Sequence, residues 1–132
     1  METLWAYNLG GDRYRLDNHP FYAYFVSVGD IVHAPYDADG QFPTCRAVLE
    51  KSGNRTVRVI SKPPLEGGNS SDQLMTRLVA LGCNYEGANR SYFSVNVPST
   101  TDLATVCDIL TTGGTQWEHA DPTYSELYPD DA

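Results

Sequence analysis

The sequence predicts an α+β domain. Three observations carry that reading. Short apolar or aromatic runs alternate with turn signals through the first 61 residues, two later stretches repeat apolar residues at helical spacing, and strand-like runs return after each of them. The chain has 132 residues, the size of a single domain. Its apolar content of 41% and charged content of 20% suit a globular protein. Residues 1–54 are read as a β-rich half, 55–120 as a second half and 121–132 as an acidic tail.

The elements follow in order. Residues 3–9, TLWAYNL, predict a strand, Gly10-Gly11-Asp12 a turn and residues 13–16, RYRL, the return arm. Asp17-Asn18-His19-Pro20 ends that arm, because proline lacks an N–H and restricts its predecessor. The aromatic run PFYAYFVSV then reaches a turn at Gly29-Asp30. Ile31 to Ala34 begin another strand, Asp37-Ala38-Asp39-Gly40 turns, and residues 44–52 and 55–61 form two more strands about Ser52-Gly53-Asn54. Five short strands with frequent turns predict a curved antiparallel sheet or half-barrel.

Residues 62–71 are rich in Pro, Gly and Ser and read as a loop. Leu74, Leu78 and Leu81, with Met75 and Val79, then share a helix face. Ser70 or Ser71 can cap that helix, Asp72 suits its positive end and Gly82 stops it. Residues 84–97 read as two strands turning near Asn89-Arg90. Pro98-Ser99-Thr100 opens a second helix with Leu103, Val106, Cys107 and Leu110 on one stripe, and Gly113-Gly114 ends it. Gln116 to Ala120, with Trp117, make a last strand. The order from residue 55 is β-α-β-β-α-β, a ferredoxin-like pattern with two helices over one face of a four-stranded sheet. The polar segment from Asp121 to Ala132 is expected to be loosely held.

The net charge of −8 is uneven: residues 1–66 hold eight acidic and seven basic residues, and residues 67–132 hold nine and two. An acidic second half repels nucleic acid and anionic membranes and suits a basic protein partner. No apolar run is long enough to span a bilayer, and the N-terminus lacks a secretory pattern. Cys45, Cys83 and Cys107 are odd in number and far apart, which argues for free thiols in a reducing compartment and a cytoplasmic location.

Two stretches could carry chemistry. The first is Asp17 to Phe25 with Asp30 and His33 downstream. Asp17, His19 and Asp30 are candidate catalytic groups, since a carboxylate beside a histidine fixes its tautomer and raises its basicity. Tyr22, Tyr24 and His33 are candidate binding residues. The plain alternative is a polar turn followed by a buried aromatic strand. Asp17, His19, Asp30 and His33 have metal-ligand chemistry, but their spacing matches no ligand motif, so no metal and no other cofactor is expected. The second stretch is basic: Arg46, Lys51, Arg55, Arg58 and Lys62. On a hairpin spanning residues 44–61, Arg46 and Arg58 could clamp a carboxylate or phosphate. The alternative is a solvated face with ordinary ion pairs. Nine tyrosines, five of them in the first third beside Trp5, favour interfaces as well as strands.

The segments LWAYNLGGDRYRLDNHPFYAY, VSVGDIVHA, VLEKSGNRTVRVI and LVALGCNYEG, with the late Trp117, resemble a bacterial family known only as domain of unknown function 4265. The likeness runs from about Leu4 to Glu118. It implies a bacterial cytoplasmic protein and supplies no activity or cofactor. Three functions are compatible with the residues. One is a binding module for a protein partner, basic in character. Another is a small enzyme with Asp17 or His19 as base, and Arg46 or Arg58 holding a small anionic ligand between the halves. The last is a small-ligand sensor, by analogy of fold alone.

Overall fold

In the computed structural model, residues 2–60, 70–89 and 91–131 are described. The expected caps Ser70, Ser71 and Asp72, the 62–69 part of the loop, Lys62 and the turn residue Arg90 lie outside the described side chains. The protein is α+β, with antiparallel sheets and few helices.

The first sheet contains β1 (Ala6–Gly10), β2 (Arg13–Leu16), β3 (Ile31–His33) and, after a small ribbon of β4 (Tyr36–Asp37) with β5 (Phe42–Pro43), β6 (Ala47–Glu50). Its spatial order is β1-β2-β3-β6, all antiparallel. Its core is small: Leu16, Val26, Val32 and Ala34, packed by Leu4, Ala6, Tyr14, Ala23 and Val48.

The second sheet is built from β7 (Arg55–Ile60), β8 (Asn84–Gly87), β9 (Tyr92–Val97) and β10 (Gln116–Asp121) in the order β10-β7-β9-β8. Helices α1 (Ser70–Ala80) and α2 (Leu103–Thr112) occupy the expected β-α-β-β-α-β positions. Alternation along the strands gives this sheet two unlike faces. Val57, Val59, Val95 and Val97 face the helices and form a core with Leu74, Met75, Leu78, Cys83, Val106 and Leu110. Leu81 and Val79 stay exposed, and Gly82, at φ +103°, turns the chain out of the helix just after them. The other face is polar and still buried: Thr56, Arg58, Ser94 and Asn96.

Two sequence expectations change. Residues 44–61 do not form one hairpin. The β6 strand belongs to the first sheet and β7 to the second, so the turn at residues 51–54 is a bridge between sheets. Asp30 accepts from the Ser52 amide at 2.8 Å and thereby fixes that bridge. The segment after Asp121 is also shaped: Tyr124–Leu127 form α3, with a reciprocal capping box between Thr123 and Glu126. A short 3-10 turn follows at Pro129–Asp131.

Candidate functional site

The Asp17 to Phe25 stretch forms no strand. It is a strap that crosses the polar face of the second sheet. Strand register places Glu86, Ser94, Arg58 and Glu118 in one row across β8, β9, β7 and β10. Residues 18–24 of the strap run along that row and its neighbours. Asn18 donates to Glu86 at 3.4 Å, and His19 Nε2 lies 3.2 Å from Asn84 Oδ1. Ser94 donates to the Pro20 carbonyl at 2.6 Å, and the Tyr92 hydroxyl donates to the Phe21 carbonyl. Arg58 Nη1 donates to the Ala23 carbonyl at 2.9 Å, and the Tyr24 hydroxyl donates to Glu118 at 2.9 Å. On the strap's other side, Glu2 accepts from the amides of Phe21, Tyr22 and Ala23 at 2.6–3.1 Å. Side chains therefore meet backbone demands that a strand ladder would otherwise meet. Meanwhile Ala23 and Val26 enter the core of the first sheet, so the strap is shared by both halves.

Its far end is locked by a charged cluster. Lys51 Nζ lies 2.6 Å from Asp30, 2.7 Å from Asp121 and 2.9 Å from the Phe25 carbonyl. Ser27 donates to Asp121 at 2.6 Å and lies 2.7 Å from the Thr56 hydroxyl. Burial alone would lower the Lys51 pKa, but hydrogen bonds and charges from Asp121 and Asp30 outweigh it and raise the value.

Two open cavities adjoin β10 and meet at Trp117 and Glu118. The first, of about 670 Å³, wraps the sheet edge between α2 and α3. Tyr24, Trp117, Tyr124 and Tyr128 give it aromatic walls, and Asp108 and Glu118 give it negative charge. None of the described residues that line it is Lys or Arg. His119 packs edge-on to Trp117 with ring centroids 4.8 Å apart, and its pKa is lowered by burial, which favours a neutral imidazole. The second cavity, of about 640 Å³, lies over the polar face. Tyr22 and Tyr92 wall it, with Arg58, Ile60, Asn89, Ser91, Gln116, Glu118 and the Trp117 position of β10.

The candidate residues are now placed. Arg58, Tyr22 and Tyr24 come together at these cavities. Asp17, His19, Asp30, His33 and Arg46 are not among the residues lining either one. Asp17 is exposed at the start of the strap, and His19 sits on β8, at the edge of the sheet opposite β10. Asp30 is fully buried and engaged with Lys51. His33 lies on β3, opposite Arg13 and Ala47, and Arg46 is largely exposed near Asp37 at 3.7 Å. The basic cluster disperses: Arg55 donates to the Pro98 and Thr101 carbonyls, Lys51 to the acidic pair and Arg58 to Glu118. Among the described residues, no group of three His, Cys, Asp or Glu side chains forms a metal site.

Sequence reasoning missed Asp108, Glu118, His119, Tyr124 and Tyr128. The signal was present as Trp117 and His119 two apart on a strand, and Tyr124 and Tyr128 four apart at the first residue and C-cap of a short helix.

The chain belongs to the family described as domain of unknown function (DUF4265), which it matches over residues 2–120. Its fold is also similar to the crystal structure of a hypothetical protein from Neisseria gonorrhoeae, with a TM-score of 0.79 at 16% identity. That match covers 94% of this chain and 85% of the other. No curated protein matches the chain. No helix among the described residues is long and apolar enough to cross a membrane.

Proposed function

We propose that this protein is a cytoplasmic binding module that receives a basic segment of a protein partner in the cavity at the β10 edge. The carrying observation is its lining: four aromatic rings and two carboxylates, with no cation among the described residues that line it. Aromatic faces and carboxylates together attract an ammonium or guanidinium group, by roughly 0.5–2 kcal/mol per cation–π contact. A neutral His119 leaves that field intact. Exposed aromatics support the same reading, since Tyr22, Tyr24, Phe25, Tyr124 and Tyr128 are all about half or more exposed around this region.

The test is a titration of the full chain with a short Arg- and Lys-rich peptide, beside a Glu-rich control. Saturable binding of the basic peptide is expected, weakening as salt rises. Asp108 is exposed on α2, so Asp108→Asn leaves the fold alone and lowers affinity by roughly three- to ten-fold. Equal binding of both peptides, or an unchanged affinity in Asp108→Asn, would refute the assignment.

A further inference from the structure

Arg58 is the largest fully buried side chain among the described residues, and its guanidinium is only partly used. Nε donates to Glu118 Oε1 at 3.1 Å, and Nη1 donates to the Ala23 carbonyl. Nη2 is buried and finds no hydrogen-bond partner among the described residues. A buried donor left unpaired is costly, and each such case calls for an explanation. The reason for the shortfall lies in Glu118. One of its oxygens meets Nε, but the other accepts from the Tyr24 hydroxyl at 2.9 Å. A carboxylate that could have spanned Nε and Nη2 is thus held on one nitrogen only.

The two partners differ sharply in exposure. The Arg58 side chain is 1% exposed and that of Glu118 is 47% exposed. Glu118 can turn into water at little cost, whereas Arg58 cannot leave. The Tyr24 ring sits over the guanidinium with its centroid 4.5 Å away, which fixes the plane of the cation. Beside this pair opens the second cavity, with the rings of Tyr22 and Tyr92 and neutral amide and hydroxyl groups from Asn89, Ser91 and Gln116. Its volume of about 640 Å³ suits a small molecule.

We infer that this cavity binds a small aromatic carboxylate, whose carboxylate displaces Glu118 and bridges Nε and Nη2 of Arg58. The planar fork of arginine matches a carboxylate's two oxygens. Arg58 is the one cation among the described residues lining the cavity, which favours a monoanion over a polyphosphate. The aromatic walls accept a flat body. Glu118 acts as an internal stand-in, keeping the buried cation paired until ligand arrives.

The probe is benzoate, with benzamide as its uncharged isostere, titrated into the full chain and followed by the side-chain amide resonances of Asn89 and Gln116, which line the cavity. Benzoate is expected to saturate that shift and to bind at least roughly ten-fold more tightly than benzamide. Glu118→Gln removes the competing carboxylate and is expected to tighten benzoate roughly ten-fold. The same variant strips a negative charge from the neighbouring cavity and weakens the basic peptide. This opposite response separates the two sites. Arg58→Met abolishes benzoate binding if it folds, and Glu118→Gln with the benzamide comparison decides the matter if it does not. Equal affinities for benzoate and benzamide, no binding of either up to about 10 mM, or no gain in Glu118→Gln would overturn the inference.

Discussion

Asp30 is wholly buried, yet its carboxylate lies 2.6 Å from the ammonium of Lys51, a residue whose side chain is nearly half exposed. The same ammonium meets Asp121, from the end of β10, at 2.7 Å. One lysine therefore bridges two carboxylates, one just before β3 and one at the end of β10.

Removing that lysine leaves Asp30 and Asp121 facing each other with little water to screen them. Breaking a buried pair costs about 3–5 kcal/mol, and the exposure of Lys51 lowers this to about 2–4 kcal/mol for Lys51→Met. Thermal melting should fall by about 10 °C. A melting temperature within about 2 °C of the parent would show that the cluster is not a structural lock.

Phe25 holds a left-handed backbone, φ +70°, which is unfavourable for a bulky residue. Its amide donates to the Ala120 carbonyl, its own carbonyl accepts from Lys51, and its ring is 55% exposed. Asparagine tolerates that conformation, so Phe25→Asn should raise stability by about 0.5–1 kcal/mol in chemical denaturation. A destabilised variant would mean that the half-buried part of the ring outweighs the backbone strain.

Below the ordinary histidine value of 6.5, the unfolded chain takes up a proton that folded His119 resists, because burial lowers its pKa. Stability therefore rises with pH across that window and is lost as pH falls through it. Protonation also adds a positive charge beside Tyr24, Tyr124, Tyr128, Cys107, Asp108 and Glu118. Affinity for the basic peptide should drop as the pH falls through the same window, and the part due to His119 should vanish in His119→Gln. Identical pH profiles for parent and variant would exclude the histidine.

The three cysteines should label at very different rates. Cys45 is exposed, whereas burial, aided by Asp108 and Asp102 and opposed by Arg55, pushes the Cys107 thiol up to about 11. At pH 8, roughly one Cys107 in a thousand is a thiolate. Burial also raises Cys83. Iodoacetamide should modify Cys45 first and Cys107 more than ten-fold more slowly, as read by peptide mass spectrometry. Comparable rates would contradict the half-buried placement and raised pKa of Cys107.

The second half was legible because its signals are local. Leu74 and Leu78 at helical spacing, Phe93, Val95 and Val97 at alternate positions, and the stop at Gly82 each specify an element without outside help. The strap was not legible, because no periodicity describes it. Its conformation is fixed by Ser94, Tyr92, Arg58 and Thr56 reaching its carbonyls from strands that lie far along the chain. Arg58, Tyr22 and Tyr24 stood out as candidates, but Glu118 did not. The reading as a hairpin put Arg58 beside Arg46, and only the division of β6 and β7 between sheets reveals Glu118 as its partner. Tyr124 and Tyr128 were obscured by the acidic composition of the last twelve residues, which suggested a solvated tail.

The strap also carries a consequence for the order of assembly. Its contacts join residues far apart in the chain: His19 to Asn84 spans 65 positions, Pro20 to Ser94 spans 74, and Tyr24 to Glu118 spans 94. Contacts of that separation are slow to close, because the intervening loop must first lose its entropy. The second sheet can pair its own strands and dock its helices through nearer contacts. The strap's contacts to Glu118, Ala120 and Asp121 can close only once β10 is in place. A nascent chain stalled before residue 116 should therefore present the Pro20 to Ser27 segment to chaperones and proteases, and synthesis of one further strand should close it.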